Sequence, residues 1–207
     1  MLSVIRNFEF ECRHVISAWT LSSQFVILGT ISGSLLYHQK SNPSKSCIVA
    51  FAELMDTITT IQLMSNRMND LIIGTKKGTL GLVQVRCVQH KIMDQHYQAI
   101  TKLDEEVIEV ITHSNQAWIV CTSQKVMQIK YQTDLEGMIK IREKKILFEA
   151  EGQIIQVNKS EDKVLVSTWK SYFVIDLKTN EVVQIGSKEK QGIYGATFIH
   201  DDKGNWR

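Results

Sequence analysis

Proline occurs once in the 207 residues, at Pro43, and cysteine four times, at Cys12, Cys47, Cys87 and Cys121, spaced 35, 40 and 34 residues apart. No Cys-x-x-Cys pair and no histidine at ligand spacing accompanies them, which disfavours a zinc site and a disulfide framework; reduced thiols of a cytoplasmic protein are expected. No stretch reaches the roughly 18 apolar residues of a membrane-spanning helix, and the first 13 residues lack the apolar run of a secretory leader. Blocks of one charge are missing too. Lys and Arg number 24 against 22 Asp and Glu, a formal net charge of +2 without a long basic stretch, so neither a nucleic-acid footprint nor a polybasic membrane patch is expected. Catalytic patterns are equally scarce: His14, His38, His90, His96, His113 and His200 are scattered, with no nucleophile elbow and no zincin spacing. No enzyme activity and no cofactor are expected.

What the chain does have is a repeat. Phe25-Val26-Ile27-Leu28-Gly29-Thr30, Asp70-Leu71-Ile72-Ile73-Gly74-Thr75, Ala117-Trp118-Ile119-Val120-Cys121-Thr122 and Val164-Leu165-Val166-Ser167-Thr168 each run through a short turn into a second apolar segment. With the threonine as register mark, the steps are 75 − 30 = 45, 122 − 75 = 47 and 168 − 122 = 46 residues. A period near 45 that carries strands and turns is the signature of β-propeller blades. A short apolar segment precedes each pair, at 15–21, 58–64, 107–112 and 154–157, and a more polar candidate strand follows it, at 46–52, 97–103, 139–148 and 182–185. Four strands per period is the blade plan.

The register segments are continuously apolar, as strands covered on both faces are, whereas Ile139-Lys140-Ile141-Arg142-Glu143-Lys144-Lys145-Ile146 mixes apolar and charged residues like a half-solvated edge. Ser32-Gly33, Lys77-Gly78 and Asn180-Glu181 stand where hairpins must reverse. The expectation is an all-β propeller of WD-repeat type: one domain over 1–207, with four four-stranded blades near 14–56, 57–105, 106–152 and 153–192. The first strand of a fifth falls within 193–207. On this reading the ring is incomplete, and the remaining blades come from sequence not present here. Only 93–109 offers helix-forming composition, and the period places an outer strand there.

Several local features have plain structural readings. Gly74-Thr75-Lys76-Lys77-Gly78-Thr79-Leu80-Gly81 lacks P-loop spacing and repeats Gly29 and Gly33 one period on, so it is a hairpin. Asp104, Glu105, Glu106 and Glu109 form an acidic cluster, expected to be a solvated loop, and Pro43 suits an outer-hairpin loop. Trp19, Trp118, Trp169 and Trp206 fall at different places in the repeat, most of them as packing residues. Trp169 directly follows the register threonine, where an exposed aromatic would anchor a partner.

Gly-His and Trp-Asp, the usual WD-repeat marks, are missing, and Ile175-Asp176 alone echoes the second. The run Val182-Val183-Gln184-Ile185-Gly186-Ser187-Lys188-Glu189-Lys190-Gln191-Gly192-Ile193-Tyr194-Gly195-Ala196-Thr197-Phe198 is more specific. Together with the fourth register segment it resembles the amino-terminal propeller of the Hermansky-Pudlak syndrome protein 5 family, with Lys190 and Thr197 as departures where Arg and Cys are expected. A related segment in the tectonin β-propeller repeat proteins of autophagy is the runner-up. The resemblance implies a non-enzymatic interaction scaffold. It would be a subunit of a complex that acts in traffic from endosomes to lysosome-related organelles and in organelle biogenesis, with other protein subunits as partners and a cytoplasmic location, peripheral on endosomal membranes. The tectonin alternative implies an autophagy-related propeller adaptor. A propeller hydrolase or lyase lacks convergent polar residues on the inner strands, and a phosphoinositide-binding propeller lacks its paired-arginine loop. Gly186, Gly192 and Gly195 bracket a charged turn, so Lys188, Lys190 and Tyr194, with Trp169, are the expected partner-binding residues.

Overall fold

The computed structural model describes residues 13–64, 70–88, 91–188 and 195–197. Sixteen strands form four antiparallel sheets among them, each laid down in chain order. The first sheet holds β1 (Ile16–Leu21), β2 (Phe25–Thr30), β3 (Leu35–Gln39) and β4 (Asn42–Val49). The second holds β5 (Ile58–Leu63), β6 (Leu71–Thr75), β7 (Thr79–Val88) and β8 (Lys91–Lys102). The third comprises β9 (Val107–Ser114), β10 (Ala117–Thr122), β11 (Lys125–Thr133) and β12 (Ile139–Glu149), and the fourth β13 (Ile154–Ser160), β14 (Lys163–Thr168), β15 (Ser171–Asp176) and β16 (Val182–Ser187). The first strands β1, β5, β9 and β13 lie side by side, so the sheets follow one another around a common centre as propeller blades.

The apolar register segments become the second strands, and β2, β6 and β10 are buried at every position. A blade is covered on both faces by its neighbours, so neither side of such a strand can be polar. The core accordingly consists of layers between blades. One joins Ile27, Leu35 and Tyr37 of blade 1 to Ile58, Leu71 and Ile73 of blade 2. The next sets Ile72 and Leu82 of blade 2 against Trp118, Val120 and Ile129 of blade 3, and the third sets Ile119 and Val126 of blade 3 against Ile154, Val164 and Ile175 of blade 4. Each fully buried Ile or Leu contributes about 1.5–3 kcal/mol. Inner strands are also tied laterally: Ser17 Oγ donates to the Ile58 carbonyl at 2.6 Å, and Thr59 Oγ1 to the Val107 carbonyl.

The register threonines explain themselves here. Thr30, Thr75, Thr122 and Thr168 are all buried, and each hydroxyl accepts a backbone N–H across the hairpin that follows: from Ser34 at 2.9 Å, Thr79 at 3.0 Å, Lys125 at 3.0 Å and Ser171 at 3.0 Å. Gly33 (φ 86°), Gly78 (φ 87°) and Asn180 (φ 60°) occupy the left-handed backbone region, as their turn positions require. Thr75→Val keeps the side-chain shape and removes the acceptor. It is expected to destabilise by about 1–2 kcal/mol, read as a lower urea midpoint at unchanged slope.

Three local expectations are corrected. The outer strands of the first two blades begin earlier than the apolar pattern suggests, at Asn42 and Lys91, because an edge strand needs only one paired side and tolerates polar residues on both faces. Pro43 consequently lies within β4 rather than in a loop, on an outermost strand where a missing N–H breaks no second ladder. Trp19 is 65% exposed on β1 rather than a packing residue, although its cross-strand neighbour Leu28 is buried. The expected strand at 193–199 lies largely outside the described residues; 195–197 carry no strand, but the Ala196 carbonyl accepts from Asn158 Nδ2 of β13.

Candidate functional site

The second and third strands of each blade are joined by a hairpin directly after the register threonine: 31–34, 76–78, 123–124 and 169–170. The connection entering each blade passes beneath its hairpin. The first hairpin N–H donates to that connection every time: Ile31 to the Val15 carbonyl at 3.2 Å, Lys76 to Thr57 at 2.9 Å, Ser123 to Glu106 at 3.1 Å and Trp169 to Gln153 at 2.9 Å. These four bonds make His14, Asp56, Glu105 and Gly152, each one residue before the acceptor, equivalent positions.

In blades 2 and 3 that position carries an acid that holds the hairpin. Asp56 Oδ2 accepts the Lys77 N–H at 2.8 Å. Glu105 Oε2 accepts the Gln124 N–H at 2.9 Å, the Thr122 hydroxyl at 2.6 Å and the Ser123 hydroxyl at 3.1 Å, while Oε1 lies 3.0 Å from Lys125 Nζ. Burial pushes the Glu105 carboxyl up, but the bonds from Thr122, Lys125, Gln124 and Ser123 together outweigh burial and hold it below the usual carboxylate range. The solvated-loop expectation is therefore corrected for Glu105 and Glu109, while Asp104 is exposed as expected. Glu105 is a hairpin cap, and Glu109 is half-buried, its carboxyl pushed up by desolvation and bonded by Thr60 Oγ1 at 3.2 Å. Because the folded Glu105 value lies below its ordinary 4.5, its stabilisation is complete above pH 4.5 and is lost as pH falls through the lowered value. Glu105→Gln is expected to destabilise by about 1–3 kcal/mol at pH 7 and to shrink the stability lost below pH 4.5; thermal unfolding across that range checks both.

Blade 4 departs from this arrangement. Gly152 stands where the acid would be, and a Cβ added there meets nothing within 4 Å. A cleft of about 270 Å³ opens between blades 3 and 4, and Glu149, Glu151, Gly152, Thr168, Lys170 and Phe173 are among the residues that line it. The Thr168 hydroxyl donates to the Ser171 carbonyl at 2.9 Å, and among the described residues the Lys170 N–H reaches only that same hydroxyl, at 3.3 Å.

Two of the four expected binding residues lie at or beside this hairpin. Trp169 is its first residue and is 37% exposed. The Lys188 N–H donates to the Lys170 carbonyl at 2.8 Å, and its ammonium lies 5.0 Å from the centroid of the Tyr172 ring, with desolvation pushing its pKa down. Lys190 and Tyr194 lie outside the described residues. Sequence reading missed Gly152, Lys170 and the capping acids, although aligning residues 14, 56, 105 and 152 by the incoming connection would have exposed the substitution. Among the described residues, no group of three or more His, Cys, Asp or Glu is arranged to hold a metal ion, and no helix is long and apolar enough to cross a membrane.

No family model matches the sequence. In fold the chain resembles the β-propeller domain of Cps50 (Swd1) from Myceliophteria thermophila, with TM-score 0.63 and 13% identity over 94% of this chain and 61% of that one. It also resembles BamB from Moraxella catarrhalis, with TM-score 0.54 and 10% identity over 84% and 53%. In sequence it is 22% identical over 219 residues to a protein of Aedes aegypti named BLOC-2 complex member HPS5 homolog. This is an HPS5-like β-propeller. The HPS5-like segment covers 94% of this chain but spans only 24% of that relative's length.

Proposed function

We propose that this HPS5-like propeller is a non-enzymatic interaction scaffold within a BLOC-2-like complex, acting in traffic from endosomes to lysosome-related organelles. The observation that carries the reading is the similarity to a BLOC-2 member along 94% of the chain, on a fold of the same architecture as a WD-type propeller. Blades packed through apolar layers make a rigid support, and binding on such a support loses little conformational freedom. The blades near 14–56, 57–105, 106–152 and 153–192 are taken as one domain over 1–207. The partners are other protein subunits, met by Trp169 and Lys188 at the blade 4 hairpin and by Lys190 and Tyr194 of the segment that follows in sequence, at a cytoplasmic location peripheral to endosomes.

Affinity purification of the tagged chain from cells, followed by mass spectrometry, tests the reading. Recovery of BLOC-2 subunits in stoichiometric amount supports it, and recovery of the chain alone overturns it. The Lys188→Glu, Lys190→Glu double variant is expected to reduce that recovery while costing no more than about 1 kcal/mol of stability, mostly from the lost Tyr172 contact. Equal recovery would place the partner surface elsewhere.

A further inference from the structure

We propose that the blade 4 hairpin is a receptor for a carboxylate side chain, a glutamate or aspartate of an acidic segment in a partner protein. It would fill in trans the place that Asp56 and Glu105 fill in cis. The inference rests on the reading of this face as the interaction surface and adds the chemistry of what docks there. Its basis is a comparison of equivalent groups within one chain. The N–H two residues after the register threonine donates to a carboxylate at 2.8 Å from Lys77 and at 2.9 Å from Gln124. Among the described residues, its counterpart on Lys170 has only the Thr168 hydroxyl, at 3.3 Å.

The space matches the missing group. Gly152 removes the acid without substituting another side chain, nothing lies within 4 Å of where its Cβ would be, and the cleft there admits a side chain from outside. Donors are at hand: the Lys170 N–H, and the Thr168 hydroxyl, whose equivalent Thr122 donates to Glu105 at 2.6 Å. On rotating toward the ligand, that hydroxyl exchanges its bond to the Ser171 carbonyl for a charge-assisted one, which is about twice as strong. Lys170, which lines the same cleft, brings positive charge to it as Lys125 does to Glu105 in blade 3, whereas the Lys188 ammonium lies over the Tyr172 ring instead. Two acids oppose an anion here. Glu149 lies 3.7 Å from Lys125 and is partly neutralised by it, and Glu151 is exposed to solvent. These acids make the site selective for a single carboxylate set against the hairpin rather than for a dianion such as phosphate, which they repel more strongly.

Nuclear magnetic resonance on the ¹⁵N-labelled full chain tests this with defined probes: acetate, N-acetylglutamate amide, N-acetylglutamine amide and inorganic phosphate. The expected result is a saturable shift of the Lys170 amide with acetate and with the glutamate probe, and at least roughly tenfold weaker binding of the glutamine probe, as loss of a charge-assisted contact implies. Gly152→Glu supplies the acid in cis; it should abolish the response and raise Tm by about 2–4 °C. Gly152→Ala, which leaves room, should keep the response. No shift at Lys170, equal binding of the glutamine probe, tighter binding of phosphate, or an undiminished response in folded Gly152→Glu each overturns the proposal. The titration uses the isolated chain, so its failure leaves membership of the complex standing, and failed co-purification leaves the carboxylate site standing.

Discussion

Trp118→Ala is expected to lower the free energy of unfolding by about 3–5 kcal/mol, the range for removing a large aromatic from a core that cannot collapse around the void. Trp118 is fully buried in the layer between blades 2 and 3, and its ring stacks on Tyr131 with centroids 3.9 Å apart and planes 18° from parallel. Tyr131 is fixed in turn, since its hydroxyl donates to the Asn115 carbonyl at 3.0 Å and its N–H to Gln116 at 2.9 Å. The sheet therefore cannot shift to refill the space, and the cavity cost persists. Urea unfolding followed by far-ultraviolet circular dichroism measures the change. Trp19→Ala is the matched control: at 65% exposure it should stay within about 0.5 kcal/mol of the parent. A Trp118→Ala loss below about 1 kcal/mol would mean that this layer does not limit stability, as when blades unfold one at a time.

Gly78→Ala should be nearly as severe, at about 2–4 kcal/mol, from two additive sources. At φ 87° an L side chain is strained by about 1–3 kcal/mol. A Cβ there would also stand 2.3 Å from the Leu103 carbonyl oxygen and 2.5 Å from that of Glu105, both main-chain atoms that cannot swing aside. The Leu103 N–H donates to the Gly78 carbonyl at 2.8 Å, so the crowded strand is the connection that delivers Glu105 to its hairpin. Loss of stability should therefore come with a weaker Glu105 cap, visible as a smaller loss of stability below pH 4.5. A Gly78→Ala protein as stable as the parent would show that the hairpin can relax away from the connection.

The turn glycines, not the capping acids, account for hairpins of unequal length within one sequence period. In blades 1 and 2 a glycine with positive φ lets the loop run to three or four residues, whereas in blades 3 and 4 the threonine accepts from the residue three places on and the loop holds two. All four share the threonine hydroxyl as acceptor, which is why threonine, rather than any apolar residue, marks the period.

Within the sequence alone, the strands and the blade plan were legible, because burial on both faces forces a continuous apolar run and a fixed blade size forces a fixed period. Ile27, Ile73, Val120 and Val166 declare themselves by composition, and their environment is set by the element they sit in. The turn glycines and Asn180 were legible for a similar reason, since backbone geometry within a few residues dictates them. Glu105, Asp56 and Gly152 were not. An acid in a polar connection looks the same whether it is solvated or aimed at a hairpin 19 residues later, as Glu105 is at Gln124, and a glycine in such a connection looks like slack. Their roles depend on which chain segments pass beneath which hairpins, a relation between positions distant in sequence that only packing one blade against the next decides. Trp169 and Lys188 lie between these cases: their residue types marked them from the start, but that the Lys188 main chain bonds Lys170, the neighbour of Trp169, follows from the closing of β15 on β16.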